Sequence, residues 1–232
     1  MSDSMSTPSS PPENLRLTPE DAAIEITKRA ISVAATQQRR VVVGIAGGPG
    51  SGKSTIAAAV IGQLNDLIDG SAARVPMDGF HMKHDKLVEL ELDDVKGSPE
   101  TFEPRAFVSF LKNLKQSKLP AQVPSYSRKL EDVVDNAFTI AGNVPILVVE
   151  GNYLLLGKTP WHEIRELLDV AIYIAVPRDK VRERLLKRHA EYDLFTEERN
   201  IAHVETVDLV NYDLVDGSRS RADLIINMET ES

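Results

Sequence analysis

The chain has 232 residues, 42% of them apolar and 27% charged, which suits a single α/β domain with a buried core. Its 27 Lys and Arg against 35 Asp and Glu give a formal net charge of −8, so a general nucleic-acid binder, which needs a basic surplus to neutralise phosphates, is disfavoured. The absence of cysteine excludes disulfide scaffolds, Cys-ligated zinc, iron–sulfur clusters and thiolate nucleophiles.

Residues 1–17 read as a disordered tail, because Met1 to Asn14 are dominated by Ser, Pro and Thr and offer nothing to bury. The tail has neither an apolar segment nor a transit-peptide character, and no run in the chain is long enough to span a bilayer. A cytoplasmic location and no membrane partner are therefore expected. Residues 18–232 read as one domain. Thr18 is placed to cap a helix with Pro19 at its first position, and Ala22, Ile26, Ala30 and Val33 follow at helical spacing. Val41 to Ala46 is apolar throughout, as a strand buried on both faces of a parallel sheet would be. A helix is expected from Lys53 to about Ile68 and a short strand over Arg74 to Met77, weakened by Pro76. Gly79 to Pro104 is charged and turn-rich, Arg105 to Leu114 is an amphipathic helix, and Val123 to Ile140 is irregular or partly stranded. Ile146 to Glu150 and Val170 to Val176 are further buried strands. Charged helices run from Arg178 to about Glu191 and from Thr196 to Leu214, before a last strand over Ala222 to Asn227. Apolar strands alternating with helices predict a parallel sheet with crossover helices.

One motif sets the chemistry. Gly47-Gly48-Pro49-Gly50-Ser51-Gly52-Lys53-Ser54 matches G-x-x-x-x-G-K-[ST] between a predicted strand and a predicted helix. Glycines let the backbone curl so that its N–H groups point at phosphate oxygens, and the helix N-terminus adds the positive end of its dipole. Lys53 can reach the β- and γ-phosphates and the Ser54 hydroxyl can ligate Mg²⁺, with Thr55 completing the loop, so ATP and Mg²⁺ are the expected cofactors. Asp78 and Glu150 both belong at the carboxyl edge of the sheet beside this loop. Transfer to a hydroxyl needs a group to orient the acceptor and take its proton, a role that suits Asp78. It also needs a group to hold the metal, which suits Glu150.

At these residues the chain resembles the phosphoribulokinase, uridine kinase and bacterial pantothenate kinase family of P-loop enzymes. Pro76-Met77-Asp78-Gly79-Phe80-His81 is similar to the family's D-G-F segment, whose Asp is the catalytic base. Lys96 to Phe102 is similar to the K-G-x-P-E-[TS]-[FY] stretch. Pro124-Ser125-Tyr126-Ser127-Arg128 resembles a substrate-side loop, and Glu150 to Leu155 resembles the E-G-x-x-x-L motif. Within the family the chain resembles most a subgroup labelled fructose-transport-system or nucleoside kinases. Its lid motif R-L-x-x-R-[HW] is matched by Arg184-Leu185-Leu186-Lys187-Arg188-His189. The resemblance departs at Val207 to Asn211, where the subgroup shows N-D-x-P-N. It implies a lid at about 178–200 with Arg184 and Arg188 as catalytic groups, and an acceptor site drawn from Phe80, His81, Tyr126, Arg128, Glu150 and Asn152.

The residues themselves leave some readings open. Phe80, Tyr126 and Trp161 can line a pocket or pack in the core. Arg182, Arg184, Lys187 and Arg188 can meet an anion or form a solvated face. The i,i+3 pair His81 and His84 lacks the companions of a zinc site. The expected activity is transfer of the ATP γ-phosphate to a hydroxyl of a small metabolite: a hexose such as fructose, a nucleoside, or pantothenate. The rival is a regulatory NTPase that binds protein partners, although no N-K-x-D base-reading motif is present. Nothing fixes the oligomeric state, and a homodimer is one option.

Overall fold

A computed structural model describes residues 11–192 and 196–229. Its centre is a six-stranded sheet in which every neighbouring pair is parallel. The strands are β1 (Glu13–Leu17), β2 (Val41–Ala46), β3 (Ala72–Pro76), β6 (Ile146–Gly151), β7 (Val170–Ala175) and β8 (Leu224–Met228), in spatial order β1-β8-β7-β2-β6-β3. Strands β4 (Ala121–Ser127) and β5 (Asp132–Ile140) form a separate antiparallel hairpin. The helices are α1 (Pro19–Thr36), α2 (Lys53–Leu67), α3 (His84–Glu89), α4 (Pro104–Gln116), α5 (His162–Leu167), α6 (Arg178–Tyr192), α7 (Glu197–His203) and α8 (Leu209–Asp216). A π-helical turn, Val204–Asp208, joins α7 to α8.

The apolar runs explain the layers. All six residues of β2 are buried, and the pleat sends Val41, Val43 and Ile45 into one core while Val42 and Ala46 enter the other. The first core is roofed by α1 and α2 through Ile26, Ala30, Ile56 and Val60, and the second by α4 and α5 through Phe107, Leu111 and Ile164. Helix α1 starts as its sequence requires: Pro19 occupies the first turn and the Thr18 hydroxyl accepts the Asp21 N–H at 3.1 Å. Pro76 is tolerated because β3 is a sheet edge and Pro76 is its last residue.

One expectation is corrected and one, the partly stranded reading of Val123 to Ile140, is made specific. The tail does not extend to residue 17, because Glu13–Leu17 forms edge strand β1, paired in register with β8 from Glu13↔Leu224 to Leu17↔Met228. Leu15 and Leu17 pack against the α1 side of the core, and Glu13 pairs with Arg29 at 2.8 Å. These contacts give a polar-looking segment something to bury. Residues 1–10 lie outside the described residues. Val123 to Ile140 is a regular hairpin interrupted by a register shift between Val123 and Ser125, at the proline that cannot donate to the ladder. Among the described residues no helix is long and apolar enough to cross a membrane.

Candidate active site

The parallel sheet places the carboxyl ends of β2, β3 and β6 side by side, and three functional segments leave from them. After β2 the glycine-rich loop turns into α2. Gly50 and Gly52 take left-handed φ of 71° and 83°, which glycine alone adopts at no steric cost. A Cβ on Gly48 would sit 2.8 Å from the Tyr212 ring, so α8 closes on the loop as tightly as it can. Lys53 opens α2 and is buried, with Nζ 3.4 Å from Gly48 O. Burial pushes its ammonium below the usual lysine range, while Glu150 and Asp78 act in the opposite direction.

Near the carboxyl end of β6, Glu150 is 1% exposed and both of its oxygens are hydrogen-bonded. Its Oε2 accepts the Ser54 hydroxyl at 2.8 Å, and its Oε1 accepts Arg74 Nη2 at 2.6 Å. A hydroxyl and a carboxylate held together beside a phosphate-binding loop are a hard oxygen donor set that fits Mg²⁺. After β3 a short 3₁₀ turn, Met77–Phe80, carries Asp78. His81 follows with Nδ1 2.9 Å from Asp78 O, so that nitrogen donates and Nε2 is left as an acceptor. Burial depresses the His81 pKa, which keeps the ring neutral. Its ring lies 3.7 Å from that of Phe102 and 4.9 Å from that of Tyr126, centroid to centroid.

These segments border one cleft of about 610 Å³. Of the residues expected at the site, Pro49, Gly50, Gly52, Lys53, Ser54 and Thr55 line it on the loop side and Arg184 and Arg188 on the helical side. Asp78, His81, Tyr126, Arg128 and Asn152 line it as well. Arg184 Nη1 reaches Gly50 O at 3.5 Å. Asn152 Oδ1 is buried with no hydrogen-bond partner among the described residues. Gly47, Gly48 and Ser51 shape the loop from behind: a Cβ on Gly47 would meet Ser51 Oγ at 2.7 Å and Ile174 O at 2.9 Å.

Two expected acceptor contacts are not where the motifs put them. Phe80 turns away from the cleft into the second core, with ring centroids 4.9 Å from Phe107 and 5.2 Å from Phe110. Glu150 is buried and is not among the residues lining the cleft, which it meets through its hydrogen bond with Ser54. Trp161 also packs in the core, against Phe102 and Tyr153. Arg182 is held by Glu205 at 2.5 Å on the surface.

Sequence reasoning missed Arg74, which lies in a strand and belongs to no motif. It also missed the cleft residues Asp93, Asp94, Glu131, Arg199, Asn200, His203 and Asp208. Lys96, which donates to Glu131 O and lies 5.2 Å over the Tyr126 ring, sat inside a quoted motif without being assigned a role. On the helical side His189 Nε2 meets Asp208 Oδ2 at 2.9 Å, and the polar tips of His189, His203 and Asp208 lie within 4.8 Å of one another. Arg184, Arg188 and Arg199 line the same cleft and oppose a cation at that cluster.

A parallel sheet with this loop between a fully buried strand and a helix defines a P-loop nucleotide-binding protein, and the Asp78 carboxylate sharing the cleft is the arrangement of a kinase. The profile of the phosphoribulokinase / uridine kinase family matches residues 42–231, and the chain belongs to that family. It is an ATP-dependent small-molecule kinase. The chain is similar to the Schizosaccharomyces pombe protein named "Putative uridine kinase C227.14", at 32% identity over 87% of this chain and 88% of that one. It is 32% identical to the Escherichia coli protein YggC over 84% of this chain and 80% of that one. With the pantothenate kinase of Ligilactobacillus salivarius it shares 32% identity over 63% of its own length and 48% of the relative's. Among solved structures, a "putative fructose transport system kinase" from Silicibacter sp. TM1040 superposes with a TM-score of 0.76 at 29% identity, covering 88% of this chain and 98% of that one.

Proposed function

We propose that the protein transfers the γ-phosphate of ATP to a hydroxyl of a small polyhydroxylated metabolite seated between Asp78 and the β4–β5 hairpin. The observation that carries this reading is that Lys53 and Ser54 share one cleft with Asp78. Asp78 takes the proton of the attacking hydroxyl, and the Asn152 Oδ1 acceptor and the Nε2 of His81 orient the metabolite by accepting from its other hydroxyls. The loop N–H groups and Lys53 hold the β- and γ-phosphates, and Arg184 and Arg188 draw off charge that develops in transfer. Mg²⁺, held through Ser54 and Glu150, would neutralise phosphate charge when bound. The carboxylates of Asp93, Asp94 and Glu131 suit the hydroxyls of a sugar ring, and Lys96 and Arg128 suit a polar or anionic end. A hexose such as fructose therefore ranks first, a nucleoside second and pantothenate third. The names of the relatives support the same three classes.

A thermal-shift screen of sugars, nucleosides and vitamins with a non-hydrolysable ATP analogue finds the acceptor, since a ligand of the folded state raises the melting temperature. ATP turnover with the hits then completes the test. Asp78→Asn is expected to retain nucleotide affinity and lower acceptor phosphorylation by roughly 10² or more. Glu150→Gln is expected to raise the Mg²⁺ requirement and to be partly rescued by excess Mg²⁺. Rescue of Asp78→Asn by Mg²⁺, with Glu150→Gln indifferent to it, would reverse the two roles.

A further inference from the structure

We infer that Arg74 is a positioning residue for the metal-holding carboxylate: it keeps Glu150 turned toward Ser54 and away from Lys53. The inference rests on the proposed role of Glu150. Three facts carry it. First, Glu150 is 1% exposed, so each oxygen needs a donor, and the two observed donors divide them, Ser54 on Oε2 and Arg74 on Oε1. Second, Glu150 has a competing partner. Lys53 is also buried, and among the charges acting on its ammonium Glu150 is the strongest, yet Lys53 Nζ bonds only Gly48 O among the described residues. Third, Arg74 comes from outside the loop. It sits on the sheet-edge strand β3, two residues before the Pro76 that pairs with Glu150, and its half-exposed side chain reaches in from the solvent side.

The consequence is electrostatic. A buried carboxylate with one unfilled oxygen beside an ammonium closes onto it, because an ion pair in a low-dielectric site is the cheapest way to satisfy both. That collapse would remove two functions at once, the ammonium from the phosphates and the carboxylate from the Ser54 side. With Arg74 on Oε1, Glu150 is already satisfied and Lys53 stays directed at the loop. The guanidinium is suited to this task, since its fixed planar donors set the rotation of the carboxylate as well as its charge.

The test measures metal binding directly, with Mn²⁺ as the probe. Mn²⁺ is titrated by electron paramagnetic resonance into the protein–ADP complex of wild type, Arg74→Met, Arg74→Lys, Glu150→Gln and Arg74→Met/Glu150→Gln. Arg74→Met is expected to weaken Mn²⁺ binding by about tenfold or more, the scale for removing a group that orients a metal ligand. Arg74→Lys is expected to recover part of that loss. In the Glu150→Gln background Arg74→Met is expected to add nothing, since Arg74 acts only through Glu150. The double variant leaves no buried carboxylate without its guanidinium partner, and it is compared with Glu150→Gln, which shares its Lys53 environment, so this comparison stands even if the single Arg74→Met variant does not fold. Wild-type Mn²⁺ affinity in Arg74→Met with a weakened Glu150→Gln overturns the inference alone, as does any further loss in the double variant. Wild-type affinity in Glu150→Gln overturns the role given to Glu150 and the inference with it.

Discussion

Gly79→Ala tests whether the turn bearing Asp78 and the β4–β5 hairpin form one acceptor-binding unit. A Cβ built on Gly79 would lie 2.2 Å from Pro124 O and 2.6 Å from Pro124 C. Carbon–oxygen contacts settle at about 3.3–3.6 Å, so the turn and the hairpin must separate by about 1 Å. The obstacle is backbone on both sides, and no side chain can rotate out of the way. Overpacking of this kind costs about 1–3 kcal/mol, or roughly 2–12 °C in Tm for a chain of this size. The larger effect falls on chemistry. Asp78 precedes Gly79 directly, and Tyr126 follows Pro124 on the facing strand with Arg128 just past its end, so the separation widens the gap the acceptor occupies. Misplacement by about 1 Å costs on the order of 10² in rate. The P-loop leaves from β2 and takes no part in this contact, so ADP affinity should stay near wild type. Denaturant unfolding, ADP titration and kcat with the identified acceptor measure the three quantities. Wild-type kcat in a folded Gly79→Ala protein would refute the reasoning, and so would a loss confined to ADP binding.

What could be read in advance follows the range of the interactions. The P-loop was legible because its mechanism is contiguous: eight residues, a buried strand before them and a helix after. Asp78 and Glu150 were legible because a parallel sheet sends all its carboxyl ends to one edge. Arg74 was not, since its partner lies 76 positions away and nothing local distinguishes it from a solvated charge on an edge strand. Strand β1 was hidden for the same reason. Leu15 pairs with Ile226 across almost the whole chain, and two alternating leucines among polar residues carry too little pattern to declare a strand. The hairpin was obscured by Pro124 and by four consecutive exposed positions, Val134 to Ala137, which break the period of two. Phe80 shows the limit of motif reading, since a motif gives the residue but not which way its ring turns.

Two further outcomes follow from the geometry. Deleting residues 1–17 removes β1 and the packing of Leu15 and Leu17, each worth about 1 kcal/mol when partly buried. A fall in Tm of about 5 °C with unchanged kcat is expected by differential scanning fluorimetry, and an unchanged Tm would show that the strand contributes nothing. The arginines of α6 should separate into two kinds. Arg182 is paired with Glu205 and about as exposed as its partner, so it makes a surface ion pair worth at most about 1 kcal/mol. Arg182→Ala should leave kcat and KM for ATP near wild type. Arg184 and Arg188 line the same cleft as Lys53 and Asp78. Charge moves from the γ-phosphate toward the leaving oxygen only during transfer, so donors placed there act most on the transition state. Arg184→Ala and Arg188→Ala should each lower kcat by roughly 10² while changing KM for ATP much less. Steady-state kinetics of the three variants decides the matter. A rise in KM at constant kcat would make Arg184 and Arg188 nucleotide-binding residues of the ground state, and a loss of kcat in Arg182→Ala would show that its ion pair with Glu205 holds the helix in its working position.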